Sequence, residues 1–119
     1  MANGMIRIKR AYDSPEPTDG LRVLVDRLWP RGLSKKKARI DEWRKDLAPS
    51  DVLRRWFGHD PRKWSEFKRR YRQELRRKTE ELRELAGQAR KGRVTLLYGA
   101  RDEKHNNVVV LKEVLGKLS

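Results

Sequence analysis

A chain of 119 residues is long enough for one domain with one core, and we expect residues 1–119 to form a single unit. It contains no cysteine, which excludes disulfides and thiolate metal sites, and nothing in the sequence brings its two histidines, His59 and His105, together. No metal and no cofactor are therefore expected. The 31 Lys and Arg against 17 Asp and Glu leave a net charge of +14, which favours polyanionic partners such as RNA, DNA or phosphorylated small molecules. The alternative is heat adaptation: with 40% of residues charged, a thermostable protein laced with surface ion pairs has much the same composition. No apolar run reaches the roughly 20 residues that span a bilayer, and Met1–Met5 lack a signal-peptide core, so no membrane partner and a cytoplasmic location are expected.

The chain opens with Met5 to Tyr12, where Ile6 and Ile8 alternate with bases as in a half-buried strand. Asp13 to Gly20 is dense in turn residues and too short for a crossover helix. The first two strands are therefore either antiparallel neighbours or separated within the sheet. Leu21 to Val25, interrupted only by Arg22, reads as a strand covered on both faces. It ends at Asp26-Arg27-Leu28-Trp29-Pro30-Arg31-Gly32, where proline removes a backbone donor and glycine permits a left-handed turn. A buried strand thus delivers Asp26, Arg27, Trp29 and Arg31 to a sheet edge, which in open α/β sheets is where ligands bind. A purely structural alternative makes Asp26 and Arg27 an ion pair holding a turn and Trp29 a core anchor.

Ser34 can cap a short basic turn, and Ile40 to Trp43 reads as a weak strand. Ser50 is a good N-cap for a helix that buries Val52, Leu53, Trp56 and Phe57 and stops at Gly58. Asp60-Pro61 marks the next helix start. The stripe Trp64, Phe67, Tyr71, Leu75, Leu82, Leu85, Ala86, Ala89 predicts one helix to about Arg90, with Glu66/Arg70 and Glu74/Lys78 as i,i+4 pairs. Residues 61–92 hold 12 bases against 5 acids, and residues 22–45 hold 9 against 3, so the excess charge gathers on this helix and around the Asp26 motif. Bases on the helix also fit a plain solvated face. Arg93 to Gly99 reads as a buried strand, and a last helix carries Val108, Leu111, Leu115 and Leu118 on one side. Between them, Arg101, Lys104, His105 and a helix N-terminus offer a second place for an anion, although Asn106 or Asn107 also suits a simple cap.

Lys9 to Tyr12, Val25 to Gly32, Ala48 to Ser50, Leu53-Arg54 with Trp56-Phe57, and Thr95 to Tyr98 with His105-Asn106 together resemble the YeaO-like family of small uncharacterised proteins, in the DUF488 group. The resemblance spans Ile6 to Leu118 and implies a compact α/β fold. Broader relatives carry a Cys-His-Arg-like segment near the C-terminal helix. A chain without cysteine cannot run thiol chemistry there, but the same loops could still form an anion pocket.

The expected architecture is a single α/β domain with a small, mainly parallel sheet flanked by helices. The expected ligand site gathers Asp26, Arg27, Trp29, Arg31, Gly32, Tyr98, Arg101, His105 and Asn106 at one sheet edge, around a phosphorylated or nucleotide-like molecule. Arg27 or Arg31 would clamp oxygens, Trp29 or Tyr98 would stack, and Asp26 would orient an arginine or act as a base. Nucleic-acid binding by the basic surface is one alternative, and a protein-interaction module using exposed tryptophans is another. No complete set of nucleophile, base and orienter is readable, so no catalytic residue is assigned.

Overall fold

The computed structural model describes residues 6–118; Met5, where the first strand was expected to begin, and the rest of the N-terminal segment lie outside them. Among the described residues four strands form one sheet: β1 (Ile6–Arg10), β2 (Leu21–Leu24), β3 (Glu42–Trp43) and β4 (Val94–Tyr98). Their order is β1-β4-β2-β3 and every pairing is parallel. The ladders run slightly past the strand ends, with Val25 N–H donating to Leu97 O at 3.0 Å and Ala11 N–H to Tyr98 O at 2.7 Å. The question left open between β1 and β2 is resolved in favour of separation. A helix-free loop can step across the one intervening strand, because neighbouring strands lie only about 5 Å apart.

The two faces of the sheet are covered differently. Ile6, Val23, Val25, Val94, Leu96 and Tyr98 face the main core together with α2 (Asp51–Phe57), α3 (Trp64–Leu75), α4 (Thr79–Lys91) and α5 (Asn107–Gly116). Leu24, Leu97 and Ala11 face a smaller core, closed by Trp29, Leu33 and Ile40 from the β2–β3 connection and by Trp43 of β3. That connection holds only the four-residue α1 (Lys35–Ala38), capped as expected by Ser34, whose Oγ accepts from Lys37 N–H.

The helix expected from Asp60 to Arg90 is two helices. After a 3-10 turn at Pro61–Lys63, α3 ends at Leu75 and α4 begins at Thr79. The stripe itself explains the break, since between Leu75 and Leu82 no apolar residue ties a continuous helix to the core. Short-range bonds from Arg77 N–H to Glu74 O and from Lys78 N–H to Leu75 O close the end of α3. The Glu66/Arg70 pair forms at 2.9 Å. The Glu74/Lys78 pair does not, because Lys78 has left the helix and Glu74 instead accepts from the N–H and Oγ of Ser50 at 2.8 and 2.6 Å. Ser50 Oγ in turn accepts from Leu53 N–H, so one carboxylate braces the cap of α2.

Two burial expectations fail. Val52 is 81% exposed, because Leu53 and Phe57, four residues apart, define the inward face of α2. Leu118 is exposed beyond the end of α5, where Val108, Val110, Leu111 and Leu115 do the packing.

After β2 the chain turns to the α1 face; after β4 it turns to the opposite face and enters α5. β2 and β4 are neighbours, so their connections part at their carboxyl ends. A crevice opens there, at the position where open parallel sheets bind ligands.

Candidate ligand-binding cleft

A cleft of about 240 Å³ occupies this crevice. Its floor is Asp26, the second residue after β2. The Asp26 Oδ2 accepts from Gly99 N–H at 2.7 Å, and the Asn107 side chain also donates to the carboxyl. Gly99 is required by this approach, since a Cβ there would sit 2.8 Å from Asp26 Oδ2. Asn107 also donates to Val25 O, pinning the first turn of α5 to the end of β2. Burial pushes the Asp26 carboxyl up to about 6, against the pull of its two donors.

The ion pair of the structural alternative, Asp26 with Arg27, is not formed, and among the described residues Asp26 bonds to no arginine. Arg27 Nε donates to Pro49 O at 2.9 Å. Arg54 joins the same cleft from α2, with Nη2 on Asp51 and a buried Nε that has no partner among the described residues. Arg31 lies exposed at the mouth; its carbonyl accepts from Tyr12 Oη at 2.7 Å, and neither it nor Arg27 forms an ion pair among the described residues. The walls are apolar, contributed by Leu28, Pro30, Pro49, Phe57 and Phe67.

Both histidines line the cleft, although no sequence pattern brings them together. His105 Nδ1 lies 2.9 Å from Asp102 Oδ2, which leaves Nε2 as the ring nitrogen available to a ligand. The ring stands edge-on to Trp64, with centroids 5.3 Å apart. His59 follows the left-handed Gly58 and is itself left-handed, with φ of 58°. That conformation is uncommon for a residue with a side chain.

Of the residues expected at the site, Asp26, Arg27, Trp29, Arg31, His105 and Asn106 line the cleft. Trp29 is also the core anchor of the structural alternative: its N–H donates to Leu33 O at 2.8 Å and its ring meets Trp43 edge-on at 5.3 Å. Asn106 caps α5 by accepting from Val109 N–H. Three expected residues do not line it. Tyr98 is 3% exposed in the main core and has no free face for stacking. Gly32 makes the left-handed turn that ends the motif, with φ of 73°. Arg101 is exposed on the loop before α5, outside the cleft. Arg54, His59, Phe57, Phe67 and Asn107 also line the cleft and are not among the expected residues. Arg54 and Phe57 stand in a family-like stretch, Phe67 in the apolar stripe, and Asn107 reads as a possible cap, whereas His59 carries no signal.

The family model described as the inactive DUF488-N3 subclade matches residues 5–118. The chain is 42% identical over 113 residues to the uncharacterised protein YeaO of Escherichia coli K12, covering 95% of this chain and 98% of that one. The chain belongs to this family. Uncharacterised proteins from Mycobacterium tuberculosis H37Rv and Mycobacterium bovis are each 40% identical over 112 residues, covering 92% of both partners in each comparison. No solved structure matches the chain. Among the described residues no helix is long and apolar enough to cross a membrane.

Proposed function

We propose that the cleft between the ends of β2 and β4 binds a phosphorylated or nucleotide-like small molecule. One observation carries this reading: three arginines reach the cleft, Arg27 and Arg31 form no ion pair among the described residues, and the buried Nε of Arg54 has no hydrogen-bond partner among them. Guanidinium groups with unused donors beside an apolar wall suit bidentate capture of phosphate oxygens. The imidazoles of His59 and His105 line the same cleft. The family description as inactive, and the lack of any thiol in the chain, favour binding over turnover.

Trp29 lines the cleft, so titrating the native fluorescence with nucleotides and with inorganic phosphate tests the reading. A saturable change that survives moderate salt is expected, and Arg31→Ala should weaken it by about tenfold or more. Equal responses from the variant and the parent chain would overturn it.

A second reading is contact with nucleic acid, and it draws on a neighbouring open groove. Arg27 lines that groove as well, with Arg70, Arg77 and Lys78. Such binding would fall steeply with salt and only partly with a single substitution. The protein-interaction alternative rested on exposed indoles, whereas all four tryptophans are half-buried.

A further inference from the structure

The cleft is bipolar, and this constrains how a ligand lies in it. Its floor is a carboxyl that accepts from Gly99 N–H and the Asn107 amide and has no cationic partner among the described residues. Its arginines are held elsewhere: Arg27 on Pro49 O, Arg54 on Asp51, and Arg31 exposed at the mouth. An ionised carboxylate only accepts, with room for about four hydrogen bonds, so acceptor capacity remains. An anion placed against the floor would meet that charge directly. A molecule that satisfies both ends presents N–H donors inward and phosphate outward, with a flat apolar body between the walls.

We propose that the ligand is a guanine nucleotide, its base edge bound by Asp26 and its phosphate held by the arginines. The inference rests on the reading of the cleft as a phosphate-ligand site. Guanine alone among the common bases offers two adjacent donors, N1–H and the N2 amino group, to one carboxylate. Adenine and cytosine place a ring acceptor beside their amino group, facing the Asp26 oxygens with a lone pair. Uracil has a single N–H between two carbonyls. Leu28, which is exposed at the cleft, supplies apolar surface beside the ring.

The test is isothermal titration calorimetry of the full chain near neutral pH with GMP, IMP, AMP, CMP, UMP and inorganic phosphate. GMP is expected to bind about tenfold or more tighter than AMP, CMP or UMP, with IMP, which lacks the N2 amino group, in between. Arg31→Ala should weaken every nucleotide while keeping that order. Asp26→Asn, whose Oδ1 can still accept from Gly99, should remove the preference for GMP. Equal affinity for all nucleotides, or a GMP preference that survives Asp26→Asn, would overturn the assignment of the base while leaving the phosphate site intact. No heat with any nucleotide or with phosphate would overturn both. The wild-type order of GMP, IMP and AMP needs no variant, so the test stands even if Asp26→Asn folds poorly.

Discussion

Asp26 shows most plainly how one residue here carries an electrostatic cost in the folded chain. Its carboxyl is held near 6 in the folded chain against an ordinary 3.8, with burial as the largest cause. The folded state therefore binds its proton more tightly than the unfolded state does. The resulting stabilisation is full below the unfolded value and is lost as pH rises through about 6. A shift of this size corresponds to at most about 3 kcal/mol, so above pH 6 the native chain carries a burden that a neutral amide would not. Asp26→Asn is thus expected to be less stable than or equal to the parent near pH 4, and more stable near pH 7, in urea unfolding across that range. A constant difference between the two proteins at all pH values would show that Asp26 titrates no differently in the folded chain. The same residue shows what a sequence conceals. The run from Val25 to Gly32 announced a strand end carrying charge, but not that Gly99, 73 positions later, would supply the donor in place of Arg27. Hydrophobic pattern reports which face is buried; it does not report which polar group meets which across a parallel crossover.

At the scale of elements, the sheet and the capped helix starts were legible because they rest on local chemistry. Leu21 to Val25 and Val94 to Tyr98, broken only by the buried Arg22 and Thr95, are mostly apolar, as covered strands are. Ser34, Ser50, Asp60 and Asn106 all cap the turns that follow them. The division between α3 and α4 was not legible in the same way, since charge and helix propensity continue through it while the apolar anchors lapse. That division makes a prediction that a continuous helix would not. Ser50→Ala removes the side-chain cap of α2 together with one of the two donors to a half-buried carboxylate, and should lower stability by about 1–2 kcal/mol with an unchanged denaturant slope. Lys78→Ala, which would break an i,i+4 pair in an unbroken helix, should change stability by no more than about 0.5 kcal/mol. Comparable losses from the two substitutions would mean that Glu74 is braced from its own helix and not by α2.

Across the whole molecule the excess of bases is unevenly neutralised. Asp19 is fully buried on the sheet face opposite the main helices, held by Lys9 at 3.0 Å and Arg22 at 2.6 Å. Glu66 takes Arg69 and Arg70, and Arg72 reaches across to Glu113. Around the cleft the balance shifts: Arg54 keeps Asp51, while Arg27 and Arg31 form no ion pair among the described residues. Added salt should therefore act in two separable ways. Chloride screens the self-repulsion of a chain at +14 and is expected to raise the melting temperature gradually. Phosphate at matched ionic strength does this too, but if it occupies the cleft it adds a saturable term set by its concentration relative to its dissociation constant. Its exclusion from protein surfaces adds a further non-saturating rise that any folded chain would show. Arg31→Ala distinguishes them: the variant should keep the gradual rise in both salts and lose only the saturable part of the phosphate curve. Parallel curves for the variant and the parent chain would place the unpaired bases with the general surface charge and leave the cleft without an anion.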